Sequence, residues 1–95
     1  QYLFRISRDW KDEKILLRSH LLTGQIAIEQ EKFAEAEKEF QIILEKDENS
    51  ADAYYALGVV YEEQGDMVKA RSQWRKALRI QPKHAGALKK MADFK

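Results

Sequence analysis

No cysteine occurs among the 95 residues, which excludes thiol catalysis, cysteine-ligated zinc and disulfide bonds. It does not choose a compartment, because a chain without thiols tolerates either redox state. Proline occurs once and glycine four times, too few for the many turns of an all-β fold. No apolar run approaches the ~20 residues of a membrane-spanning helix. Histidine occurs twice, at His20 and His84, with no paired spacing that would hold a metal. There is no glycine-rich phosphate loop, and Ser7, Ser19, Ser50 and Ser72 have no nucleophile setting around them. A chain of this length forms one small domain with little room for a deep active-site cavity. The sequence opens on Gln1 rather than a methionine, which reads as an excised domain or a processed chain, so that any targeting segment would be missing from it.

Charge is what the chain has in abundance, and it is unevenly spread. Residues 67–95 carry nine lysines and arginines against Asp93 alone, whereas residues 29–66 carry twelve acids against three lysines. Residues 1–28 hold five basic groups against three acidic ones, so the net charge is only +1. Such polarity can steer a partner or favour self-association, and solvated helix faces account for most of it. Arg71, Arg75 and Arg79 stand four apart, with Lys76, Lys83 and Lys90 nearby. That row could meet phosphates, but near-neutral total charge and the lack of a basic–aromatic platform place nucleic acid behind a protein partner.

Shifted by 34 residues, the chain matches itself. Gly24 falls on Gly58, Glu29 on Glu63, Gln30 on Gln64, Ala36 on Ala70 and Leu44 on Leu78. Ile26 pairs with Val60, Phe33 with Met67 and Phe40 with Trp74, and a third copy starts with Ala51 on Ala85. Within the second copy Ala53, Leu57, Val60 and Tyr61 recur at helical spacing, and Met67, Ala70, Trp74, Ala77 and Leu78 form a second stripe. Gly65-Asp66 divides them, a left-handed glycine followed by a helix cap. Gln81-Pro82 ends the second stripe. The first copy repeats this with Ile26, Ala27, Phe33, Ala36, Phe40, Ile43 and Leu44, ending at Asp47–Ser50, where Ser50 can cap the next helix.

The second copy resembles a tetratricopeptide repeat: Tyr54-x-x-Leu57-Gly58-x-x-Tyr61, then Gly65, Ala70, Trp74, Ala77 and Pro82. The resemblance implies an all-α fold, a right-handed α-solenoid of antiparallel helix hairpins. It divides the chain into a flanking segment 1–16, a degenerate repeat 17–50, a well-matched repeat 51–84 and a partial repeat or capping helix 85–95. In the degenerate repeat His20 takes the aromatic place, Thr23 the leucine, Ala27 the tyrosine and Glu48 the proline. Glu31 replaces the turn glycine, at a cost of up to ~1 kcal/mol if its backbone is left-handed. Gly58 and Ala70 are expected where paired helices approach closely, with Tyr61 and Trp74 filling the space between helices. Asp9 would cap a helix from Trp10 into the first repeat, and the segment with Tyr2, Leu3, Phe4 and Ile6 would cover the front of the stack. Leu88, Met91 and Ala92 would face the second repeat.

Family members bind partners in a concave groove lined by the first helices of successive units. By that resemblance the groove would carry Arg18, Leu21, Gln25, Ile28 and Glu29, then Asp52, Tyr55, Ala56, Val59, Glu62 and Glu63. Leu21, Ile28, Tyr55 and Val59 would be partly exposed anchors, rimmed by Asp52 and Glu62. Such a surface suits a short helix or extended segment with some positive charge. Residues 1–16 or a second copy could fill the same groove, making the chain a homo-oligomerisation module instead. The places where chaperone-tail receptors of the family hold a carboxylate clamp are occupied by Leu21, Gln25, Ala56, Gly86 and Lys90. Only Lys90 and, loosely, Gln25 fit that chemistry, so another kind of partner is expected. No catalytic residue, metal or cofactor is implied.

Overall fold

The computed structural model describes residues 11–93, with side chains from Lys14 onward. Among the described residues there are five helices: α1 (Lys11–Glu29), α2 (Phe33–Lys46), α3 (Ala51–Glu63), α4 (Met67–Ile80) and α5 (Ala85–Asp93). No strand occurs among the described residues. The most extensive packing is within the hairpins α1–α2 and α3–α4; α2 joins the hairpins by packing on α3, and α5 packs on α4. This is an all-α helical-repeat solenoid. Residues 1–10, including the expected cap at Asp9 and the apolar Tyr2–Ile6, lie outside the described residues.

The 34-residue repeat is written into the backbone hydrogen bonds. Lys32 N–H donates to the Ala27 carbonyl at 2.8 Å, and Asp66 N–H to the Tyr61 carbonyl at 2.8 Å. Asp47 N–H reaches Ile43, and Gln81 N–H reaches Ala77, each at 2.8 Å. The first pair closes a hairpin through a left-handed residue: Glu31 has φ 63° and Gly65 has φ 86°. Glycine adopts that conformation without strain, whereas Glu31 places its Cβ against its own carbonyl. Asp66 then caps α4 by accepting from Lys69 N–H at 3.1 Å. Lys32, at the matching place, makes no side-chain cap for α2. The first hairpin is therefore the weaker turn twice over.

Two apolar clusters form the core. One centres on Phe40, Leu57 and Val60 with Ala27, Ala36 and Ile43; the other centres on Trp74 with Ala70, Ala77 and Ala87. Tyr61 touches both and ties the hairpins together. The small residues sit where they were expected. A Cβ on Gly58 would lie 2.2 Å from the indole nitrogen of Trp74, and one on Gly24 would lie 2.4 Å from the Phe40 ring. The Trp74 indole donates to the Tyr55 carbonyl at 3.2 Å, which fixes the ring in this slot. The phenol of Tyr61 donates to Glu37 at 2.8 Å. Burial first, then that hydrogen bond and the charges of Glu37 and Asp66, push this phenol up from 10.0 to about 12.

Two sequence expectations need correction. In α5 the buried residue is Ala87, while Leu88 and Ala92 are exposed and Met91 is half-buried. The register explains it: Ala87 matches the buried Ala53, and Leu88 matches Tyr54, which lies over α4 under Lys76. In α1, Ile26 is exposed although Val60, its counterpart, is buried. Val60 is covered by α2, and no described helix stands in that position against α1.

Candidate functional site

Two successive first helices, α1 and α3, present the residues named from the sequence. A cavity of about 500 Å³ opens where α1 meets the α2–α3 turn. Lys14, Ile15, Leu17, Arg18 and Leu21 line it from α1, Ile43 and Asp47 from the end of α2, and Ser50 and Asp52 from the start of α3. Arg18, Leu21 and Asp52 thus come together. The floor is apolar, with basic groups on the α1 wall and Asp47 and Asp52 on the opposite one. Asp47 accepts from Asn49 N–H at 3.1 Å, and Ser50 caps α3 by accepting from Ala53 N–H at 3.2 Å. These bonds fix the far wall.

The other expected groove residues lie further along. Gln25 and Glu29 are exposed on later turns of α1, and Ile28 is half-buried against the first core cluster. Val59 is half-buried and Glu63 is exposed on α3. Ala56 is buried and offers no surface, because it faces the preceding hairpin rather than the groove.

Asp52, Tyr55 and Glu62 are held by the third first-helix, α5. His84 Nε2 donates to Asp52 at 2.8 Å, its ring lies tilted at 38° against Tyr55 with centroids 5.1 Å apart, and Lys90 donates to Glu62 at 2.7 Å. Burial alone would lower the Lys90 pKa. The hydrogen bond and charge of Glu62, helped by Tyr55 and Asp93, outweigh it and carry the value above the usual lysine range. His84 also accepts from Ala87 N–H through Nδ1 at 3.1 Å. An amide only donates, so Nδ1 bears the lone pair and the ring is the neutral Nε2–H tautomer. His84 caps α5 as Ser50 caps α3, 34 residues earlier. Sequence reasoning placed His84 in a turn and missed this role; the alignment with Ser50 was the available signal. His20, expected at an aromatic packing place, instead donates through Nδ1 to Glu39 on α2 at 2.6 Å.

The arrangement sets an apolar floor between walls of opposite charge. Among the described residues no cluster of histidine and acids could hold a metal ion, and no helix is long and apolar enough to cross a membrane. The basic row Arg71, Arg75 and Arg79 is exposed on α4, away from the cavity.

A family model described as tetratricopeptide repeat matches residues 21–85. Curated relatives include Superkiller complex protein 3 of Mus musculus, 34% identical over 70 residues, a match covering 68% of this chain and 4% of that protein. Probable biofilm formation methyltransferase WspC of Pseudomonas putida is 40% identical over 58 residues, covering 61% of this chain and 14% of that protein. The chain therefore spans only a small part of either relative's length. With the 34-residue hydrogen-bond repeat, the glycine–aromatic slots and the family match in agreement, the chain belongs to the tetratricopeptide repeat family, whose helical repeats serve as protein–protein interaction scaffolds.

Proposed function

We propose that this chain is a non-catalytic scaffold that holds a segment of a protein partner along the groove of α1 and α3. Arg18, Leu21, Gln25 and Ile28 would serve from α1, and Asp52, Tyr55, Val59 and Glu62 from α3. The cavity that brings Arg18, Leu21 and Asp52 to one apolar floor carries this reading. Its walls of opposite charge suit a short segment whose apolar anchor is flanked by an acid on one side and a base on the other. A relative named as a component of a complex fits a scaffold role. The methyltransferase activity in the other relative's name is not carried over, because the match covers 14% of that protein.

A random peptide library selected on the chain and re-tested on variants examines the proposal. Peptides with an apolar residue between opposite charges are expected. Their affinity should fall at least about tenfold in Leu21→Asp and Arg18→Glu. Asp52→Asn, which keeps an acceptor for His84, should weaken only peptides with a basic flank. Selected peptides that bind every variant equally would overturn the groove as the site.

A further inference from the structure

His84 stands outside the groove cavity, yet it holds one of the cavity's acidic groups. The His84 side chain is 10% exposed. Asp52, whose Oδ1 accepts from His84 Nε2 at 2.8 Å, is 67% exposed and lines the cavity. The other ring nitrogen is engaged as well, since Nδ1 accepts from Ala87 N–H at 3.1 Å and caps α5. Tyr55 lies against the ring. The imidazole is therefore fixed between the start of α5 and a carboxylate that faces the groove. The other histidine, His20, is bonded to Glu39 on α2 and lines no part of the cavity.

We propose that His84 makes the groove's hold on a basic residue of its partner depend on pH, acting through Asp52. With the groove as the partner site, as proposed above, Asp52 is the wall that meets a lysine or arginine. The neutral ring gives Asp52 a hydrogen bond and leaves its negative charge facing the cavity. A proton taken up by the ring goes to Nδ1, because Nε2 already carries one. The bond to Asp52 then becomes an ion pair, which offsets the carboxylate's charge where the partner's cation would sit. The same proton displaces the Ala87 bond and removes the cap of α5. Linkage gives the sign. A cation bound beside Asp52 repels a protonated ring, so binding and protonation oppose each other. Affinity for a basic segment is full while the ring is neutral and falls as pH drops through its protonation. The charged and titratable groups on the segments flanking the pair are Lys14 and Arg18 across the cavity, Asp47 and Glu48 before α3, Tyr55 on α3, Arg79 ending α4, Lys83 before α5 and Lys90 on α5. None is a histidine, the side chain whose ordinary charge change lies between about pH 5 and 8. His84 is thus a positioning residue for Asp52.

Titration calorimetry at about pH 8 and about pH 5 tests the proposal, with the His84 ring-proton resonance reporting its protonation. The probes are a library-selected peptide with an arginine flank and the same peptide with glutamine in that arginine's place. Their affinity ratio cancels any titration of the peptide's acidic flank and any general loosening of α5. It should favour arginine at the higher pH and fall about two- to fivefold at the lower. His84→Gln, which can still donate to Asp52 but takes no proton, should abolish the fall. So should Asp52→Asn, which keeps the cap on α5, whereas His20→Gln should retain it. A wild-type ratio indifferent to pH overturns the proposal, as does a fall that persists in His84→Gln or Asp52→Asn, or a ring that stays neutral at the lower pH. In each of these cases the groove still stands if Leu21→Asp weakens both peptides. Peptides indifferent to Leu21→Asp remove the groove as the site, and the role of His84 falls with it.

Discussion

Gly58 lies against Trp74 so closely that a methyl group in place of its hydrogen would stand 2.2 Å from the indole nitrogen. The ring cannot give way, since that nitrogen is bonded to the Tyr55 carbonyl and the whole side chain is buried. Gly58→Ala should therefore destabilise the fold by about 1–3 kcal/mol through overpacking, despite alanine's better helix propensity. Chemical denaturation followed by circular dichroism measures this; equal or greater stability than wild type would show that the slot is not tight.

The first hairpin turn can be rebuilt on the pattern of the second. Glu31→Gly removes a strained left-handed residue, and Lys32→Asp supplies the cap that Asp66 gives α4. Together they should add about 1–2 kcal/mol. The reverse change, Gly65→Ala, meets no neighbouring atom within 4 Å, so its cost of about 1 kcal/mol is backbone strain alone. Melting curves of the three variants check the set.

Tyr61 should ionise late. Its phenol is pushed to about 12 while an unfolded tyrosine titrates at 10.0. The folded state thus holds a proton that the unfolded state loses. The associated stability is complete below pH 10, falls as pH rises between about 10 and 12, and is gone above. Ultraviolet titration of tyrosinate should show a late step, and Tyr61→Phe should remove it.

His84 serves α5 twice, as its cap and as its link to Asp52. His84→Ala should loosen α5 and cost about 1–2 kcal/mol. His84→Ser should recover the cap, as at Ser50, without the link. The Ala87 amide resonance reports the first bond and should return towards its wild-type shift in the serine variant only.

Most of the fold was legible because its causes are local or periodic. Gly24 and Gly58, Phe40 and Trp74, Glu31 and Gly65 are single positions whose roles recur at a fixed interval. The candidate groove was legible only in outline. Arg18, Leu21 and Asp52 meet as the register suggests, but Asp52, Tyr55 and Glu62 are also held by α5. Those contacts depend on how far α5 leans onto α3, which no spacing within one helix encodes. Ala56 was misplaced for a related reason: helices lean, and a position at the edge of a face falls to whichever neighbour is closer.

The connections between helices are three, four, three and four residues long. Apart from the approaches of α1 to α3 and of α5 to α3, each helix packs chiefly on its neighbour in the chain. The conformational search is therefore short-range at every step. Each hairpin closes a small loop, and no segment waits for a distant one to arrive. Such a chain has low contact order and should fold in the microsecond-to-millisecond range. A refolding trace should show one fast phase and no delay from proline beyond that set by Pro82.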